Sequence, residues 1–308
     1  MDNETYDCLI VGAGPAGLTA ATYLARFQRR VGVLSAGPSR AHYIPVSHNC
    51  PGFPFGISGV ELVQRLREQA ARYGVQPVDA RVEPIVRDGG GFTLHAAGKE
   101  WHAHNVLLAS GIRDRLPVFA SNDAEEVEQA IHDGVLRICA VCDGYEAQDH
   151  RIAVVGPPAS APGHAYFLRT YSHAVTLILS EPGALAAADR EQLDALAIRV
   201  LPPGELTLLR DGERRFACCR YRSGSGEETF DTLYPVLGAS IKAALATTLG
   251  ARTDDHGELL TDAHQQTSIE GLYAAGDVVS ALNQISVAVG HAAIAAAAIH
   301  ARLPRNPK

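Results

Sequence analysis

The chain has 308 residues, 46% of them apolar and 20% charged, the balance of a globular protein able to bury a sizeable core, and its length implies about two domains. Its formal charge of -7 argues against nucleic acid or an anionic membrane surface as a partner, because neither attracts an acidic protein. No uninterrupted apolar run reaches the ~18 residues of a membrane span, and the start, Met1-Asp2-Asn3-Glu4-Thr5, lacks the positive and apolar regions of a signal peptide, so a cytoplasmic location is expected.

Asp7-Cys8-Leu9-Ile10-Val11 is an apolar run that predicts a buried parallel strand, ending abruptly at Gly12-Ala13-Gly14-Pro15-Ala16-Gly17. A helix is predicted over 15–26 and a second strand over 31–34. In this context the three glycines predict a phosphate-binding turn. Gly12 permits the tight turn, Gly14 lets backbone approach a pyrophosphate, and Gly17 lets helix and strand pack closely, with the helix N-terminus facing the phosphates. The acid that ordinarily ends the second strand and binds a ribose is replaced by Ser35, a weaker partner.

Residues 80–108 alternate in short runs around Asp88-Gly89-Gly90-Gly91 and Ala97-Gly98, which predicts an antiparallel meander. The strand–turn–helix grammar restarts at residue 151, with strands over 151–155 and 175–179 and a helix over 163–172. Near the C-terminus a strand at 271–275 runs into Gly276-Asp277, and an alanine-rich helix is predicted over about 289–303. Two such units predict an α/β protein of two Rossmann-like, three-layer ββα nucleotide-binding domains, with crossings near Pro117 and Pro235-Val236-Leu237-Gly238.

Six cysteines (Cys8, Cys50, Cys139, Cys142, Cys218 and Cys219) are too few and too uneven for a secreted disulfide scaffold. In a reducing compartment the Cys139-Ala140-Val141-Cys142 pair is catalytic or metal-binding. No second pair stands at matching spacing, so zinc is the weaker reading and no metal is expected. Two thiols so spaced can close a small disulfide ring, and Asp143 beside them can shuttle a proton. Cys8 fits simple burial, and Cys218 and Cys219 point to opposite faces of a strand.

Five segments together resemble the low-molecular-weight thioredoxin reductase family over nearly the whole chain. They are Gly12-Ala13-Gly14-Pro15-Ala16-Gly17, Asn49-Cys50-Pro51-Gly52, Ala109-Ser110-Gly111, Cys139-Ala140-Val141-Cys142-Asp143-Gly144, and Gly276-Asp277 followed by Gln284. The resemblance implies FAD in the first unit, contacted by Gly12, Gly14, Pro15, Ala16, Gly17, Ser35, Asn49, Ala109, Gly111, Gly276, Asp277, Gln284 and Ile285. It makes Cys142 the flavin-facing sulfur, Cys139 the thiol that exchanges with substrate, and Asp143 the acid/base. His48 would sit near the flavin, as a base or as a structural histidine. Cys50 replaces an aromatic residue and is either inert or a third exchanging thiol. The family is homodimeric, with an FAD-binding domain of 1–117 and 241–308 and an inserted nucleotide domain of 118–240 that carries the cysteine pair.

In that family the inserted domain binds NADPH, but here its turn is Gly156-Pro157-Pro158-Ala159-Ser160-Ala161-Pro162. The prolines remove three N–H donors, and Glu181 stands where an arginine would hold a 2'-phosphate. NADPH is therefore disfavoured. The expected function is an NADPH-independent dithiol oxidase that passes electrons from a substrate dithiol through Cys139 and Cys142 to FAD and then to oxygen or another acceptor. It resembles the branch that oxidises natural-product dithiols, whose motif also continues as Cys142-Asp143-Gly144-Tyr145-Glu146. The alternatives are a thioredoxin reductase fed by NADPH, ferredoxin or a second FAD in the degenerate site, and a non-enzymatic flavin redox sensor. The expected substrate is a small dithiol or a thioredoxin-like protein.

Overall fold

The structure, a computed structural model, describes residues 5–212, 214–224, 226–279 and 282–307; the Met1–Glu4 start used above to place the protein in the cytoplasm lies outside them. The first stretch contains β1 (Tyr6–Val11), α1 (Pro15–Arg26), β2 (Val31–Ser35), a 3-10 turn (Arg40–Tyr43), α2 (Gly59–Ala71), β3 (Val78–Asp79), β4 (Val82–Asp88), β5 (Gly91–Ala96), β6 (Lys99–Leu108) and β7 (Ile112–Asp114). The middle stretch contains α3 (Ala124–His132), α4 (Ala140–Asp143), β8 (Ile152–Gly156), α5 (Ala161–Leu168), β9 (Val175–Leu179), α6 (Ala187–Ala195), β10 (Arg199–Leu201), β11 (Glu205–Asp211), β12 (Arg215–Ser223), β13 (Gly226–Phe230) and β14 (Thr232–Pro235). The chain then forms β15 (Ala239–Ile241), α7 (Ala244–Thr247), β16 (Leu272–Ala274) and α8 (Ile285–Arg302).

β1 is covered on both faces, which is why it is an almost unbroken apolar run. Cys8 and Ile10 join a core built with Leu18, Leu24, Ala292 and Ala295 of α1 and α8, while Leu9 and Val11 join one built with Ile85, Phe92 and Leu272. The sheet they belong to has seven strands in the order β3-β2-β1-β6-β5-β4, with β16 also on β6. The expected meander is continuous with this sheet. Residues 99–103 of the long β6 pair antiparallel with β5, and the same strand runs on to pair parallel with β1 and β16.

The middle stretch forms a four-stranded parallel sheet, β10-β9-β8-β14, and a three-stranded antiparallel sheet, β11-β12-β13. β7 and β15, at the two ends of this stretch, pair antiparallel with each other. On β12, Cys219 is fully buried and Cys218 half-buried, as opposite faces of one strand require.

Two helices differ from their sequence expectation. α5 starts at Ala161 because Pro162 is tolerated in a first helical turn, and it stops at Leu168, where the Arg169 side chain turns to the carbonyls of Ser172 and Leu196. α8 starts at Ile285, so His291 lies in its second turn and not at its start. With 18 residues at a mean hydropathy of 1.3, α8 is long and apolar enough by composition to cross a membrane, a property that a count of uninterrupted apolar residues misses because Ser286, Gly290 and His291 break the run. In the fold it packs on α1 through Ala288, Ala292, Ala295, Ala296 and Ile299. Its far end is pinned by the buried Arg29, whose guanidinium donates to His300 Nδ1 at 3.0 Å and to the Pro304 carbonyl at 2.8 Å.

Candidate active site

The first turn leaves no room for a side chain at Gly12 or Gly17. Gly12 has φ +113°, and a Cβ there would stand 2.3 Å from the Ala109 carbonyl oxygen; a Cβ on Gly17 would stand 1.9 Å from the Gly12 oxygen. Gly14 is the N-cap of α1 and offers no side chain to the N–H groups behind it, so these face outward with the positive end of the helix dipole. Ala16 and Gly276 lie against each other, since a Cβ on Gly276 would be 3.1 Å from that of Ala16. Asp277 is thereby delivered beside the same helix start. Ser35 Oγ accepts the Ala13 N–H at 3.2 Å and so braces the turn.

An ion cluster that motif reading missed sits next to this turn. Arg40 donates to both carboxylate oxygens of Asp114, at 2.7 and 2.9 Å, and to Asp277 at 3.4 Å. Burial raises the Asp277 pKa, and Arg40 offsets part of that rise. The buried hydroxyl of Ser39, beside Gly14, has no protein partner. Outward N–H groups at a glycine-lined helix start, an unsatisfied hydroxyl and a partly compensated carboxylate suit the phosphates and polyhydroxyl chain of FAD. Gly12, Gly14, Gly17, Ser39 and Asp277 are the groups that would hold it.

The cysteine pair is oxidised. Cys139, the N-cap of α4, is bonded to Cys142 one turn on, and both residues are half-buried. Gln284, just before α8, donates its side-chain N–H to Cys142 Sγ at 3.2 Å and to Cys139 Sγ at 3.5 Å. That amide presents its N–H to the sulfurs because a disulfide sulfur can accept a hydrogen bond but has none to donate; Gln284 Oε1 then accepts from Asn49 Nδ2 at 3.0 Å, and Asn49 Oδ1 accepts from the Ser47 hydroxyl at 3.1 Å. Gln284 and Asn49, expected beside the flavin, are thus both tied to the disulfide. His48 Nε2 lies 3.9 Å from Glu146 Oε1, which follows the pair in sequence. Cys50 is buried in a small apolar cluster with Ile57 and Leu62, against which Ile285 packs, and burial raises its pKa; this suits an inert thiol.

Asp143 is held from two sides. Its carboxylate lies 3.1 Å from Arg137 and accepts the Tyr234 hydroxyl at 2.9 Å. Burial pushes its pKa up, and Arg137 and Tyr234 pull it partly back. A carboxyl whose folded pKa is raised contributes stability below its unfolded pKa and loses it as pH rises through the folded one. Arg137→Met removes the strongest opposing charge, so the loss deepens and extends to higher pH. We expect the variant to be about 3 kcal/mol less stable at pH 8 and less affected at pH 5, as read by urea unfolding at both pH values.

The sequence model of the pyridine nucleotide-disulphide oxidoreductases matches residues 6–292. The chain belongs to that family. A thioredoxin reductase from Mycolicibacterium smegmatis is 31% identical, over 89% of this chain and 88% of its own. The crystal structure of thioredoxin reductase from Streptococcus pyogenes MGAS5005 superposes with a TM-score of 0.87 at 26% identity, covering 97% of this chain and 98% of its own. That of HlmI does so at 0.84 with 26% identity, covering 96% and 92%. The α/β architecture with its parallel sheets and the redox-active type of enzyme are those of thioredoxin reductase-like disulfide oxidoreductases.

Within this disulphide oxidoreductase the second turn departs from the first. α1 begins four residues after the end of β1, whereas α5 begins five residues after the end of β8 and two later relative to the first glycine. Ala161 occupies the place of Gly17. Since a Cβ on Gly17 would strike backbone, the alanine requires the helix start to stand further from the strand. The N–H groups of Ser160 and Ala161 are turned inward to the Pro157 carbonyl, at 3.2 and 3.1 Å, and Pro157, Pro158 and Pro162 have none. Pro158 lies against Gly183 in the loop after β9, where a Cβ on that glycine would be 2.8 Å from the proline ring.

Proposed function

We propose that the chain is an FAD-dependent dithiol oxidase that works without NADPH. The observation that carries this reading is the second turn, whose absent and inward-turned N–H groups leave little to hold a pyrophosphate, while Glu181 follows β9 where a 2'-phosphate would need a cation. The first turn and the cysteine pair have no such defects. The chemistry that bound FAD supplies is acceptance of two electrons from the reduced pair and their delivery to an external acceptor, oxygen in this reading.

A substrate thiolate attacks Cys139 Sγ, forming a mixed disulfide, and the Cys139–Cys142 bond breaks with its electron pair left on Cys142. The better a leaving thiolate is stabilised, the faster it leaves. Gln284, whose N–H is closer to Cys142 than to Cys139, stabilises that charge, and Asn49 bonds the opposite end of its amide. The second substrate thiolate then attacks the substrate sulfur of the mixed disulfide. The substrate departs as a disulfide, and two electrons stay on the cysteine pair. Asp143, with its raised pKa, is the proposed carrier of the proton exchanged with the thiols. Val141, 55% exposed, and Tyr145, 72% exposed, flank the pair and suit a small apolar dithiol. A homodimer is part of this reading, supported by the exposed small and apolar face of α8 at Ser286, Gly290, Ile294 and Ala297.

Aerobic dithiothreitol is expected to be consumed with release of peroxide, and anaerobic NADPH is expected to leave the flavin absorbance unchanged. Gln284→Leu is expected to slow dithiol turnover roughly 10–100-fold, the cost of losing a hydrogen bond to a charged group. A second reading, favoured by the relatives named thioredoxin reductase, is reduction of a thioredoxin-like protein. Rapid flavin bleaching by NADPH would establish it, and two FAD per chain would place a second flavin in the degenerate site as donor.

A further inference from the structure

Among the described residues, His42, Glu128 and His132 present ligand atoms that all lie within 4.8 Å of one another. None belongs to the flavin turn or the cysteine pair. Glu128 and His132 are four residues apart on α3, so they share one face of that helix, and His42 comes from the 3-10 turn packed against it. His42 Nε2 is 3.3 Å from Glu128 Oε1. Two ligands ~2.0–2.1 Å from a tetrahedral ion stand roughly 3.3 Å apart, so this edge already has the spacing of a zinc site.

Both elements are held in place by other contacts. The 3-10 turn is anchored by Arg40 on Asp114 and Asp277, and Tyr43 packs into the same core as Ala130 and Ile131 of α3. α3 is fixed at its start by a capping box of Asp123 and Glu126. His132 is the last residue of α3, where the helix dipole favours a cation. All three side chains are only part-buried, which leaves a coordination position open to water.

We propose that His42, Glu128 and His132 form a binding site for a divalent transition-metal ion of the zinc class, which clamps the 3-10 turn at 40–43 to α3. Imidazole ligands select against magnesium and calcium, which take oxygen ligands. The site tethers a turn that carries an Asp277 partner to a helix far along the chain, so metal occupancy raises resistance to unfolding.

The test uses the flavin-loaded full chain with its disulfide oxidised, so that Cys139 and Cys142 do not compete. Zn2+ titrated by calorimetry is expected to bind at this site and to raise the melting temperature, while Mg2+ does neither. His132→Ala and Glu128→Gln are each expected to weaken Zn2+ binding by at least about tenfold and to abolish the thermal shift. Glu128→Gln, a change on the helix surface, carries the test if His132→Ala does not fold. Absence of Zn2+ binding, binding weakened less than tenfold in the variants, or equal binding of Mg2+ overturns the proposal.

Discussion

Cys142→Ser and Cys139→Ser are each expected to lower dithiol turnover by at least roughly a thousandfold, because the two sulfurs act as a unit and the internal disulfide that accepts the substrate's electrons needs both. The two losses differ in what they leave behind. In Cys142→Ser the thiol of Cys139 meets a small disulfide such as cystamine and forms a mixed disulfide that no neighbouring thiolate can resolve, so mass spectrometry should find the adduct accumulating. In Cys139→Ser the remaining thiol lies under the shorter contact of Gln284, at 3.2 Å, and should accumulate the adduct far more slowly. Equal trapping by the two variants would show that the exchanging and leaving roles are assigned wrongly, and retained turnover in either would remove the dithiol from the reaction.

Gly17→Ala is expected to destroy flavin retention. The added Cβ would lie 1.9 Å from the Gly12 carbonyl oxygen, so α1 must retreat from β1, and with it the N–H groups that face the pyrophosphate. Overpacking against backbone costs about 3 kcal/mol, and the displaced helix cannot recover its position by rotating a side chain. Flavin content per chain and the urea midpoint should fall together. A Gly17→Ala variant that still purifies with a full complement of flavin would remove the close approach of strand and helix from the account of binding. The second turn already contains this experiment, since Ala161 stands at the corresponding place and α5 begins late.

What can be read from sequence is local. The β1–turn–α1 unit is legible because a few adjacent residues dictate it: an apolar run covered on both faces, two glycines, Gly12 and Gly17, with no space for a Cβ, and a proline tolerated in the first turn. The damage to the second turn is legible for the same reason, as prolines lack N–H groups in any context. Arg40 is invisible to such a reading because its partners, Asp114 and Asp277, are 74 and 237 positions away and no periodicity connects them. The same distance effect hides the contacts of Gln284 with the sulfurs of Cys142 and Cys139, 142 and 145 positions away. Resemblance places Gln284 near the flavin, but that its amide bonds the sulfurs depends on the fold bringing the cysteine pair to one end of it and Asn49 to the other. The start of α8 falls earlier than its pattern predicts because the run of alanines from Ala292 comes after its first turn, where Ile285 packs against the cluster around Cys50.

The pairing of β7 with β15 has a consequence for the covalent path. Asp114 and Ala239 are register partners in an antiparallel ribbon, so the chain leaves for residues 115–238 and returns about 5 Å from where it left. Topologically that long excursion is the loop of a hairpin. A two-residue turn has the reach to join the same two strand ends, and closing a longer loop costs only logarithmically more with length. The ribbon is therefore a splice point, where a protein engineer could exchange everything between Asp114 and Ala239 without altering the register of the strands on either side.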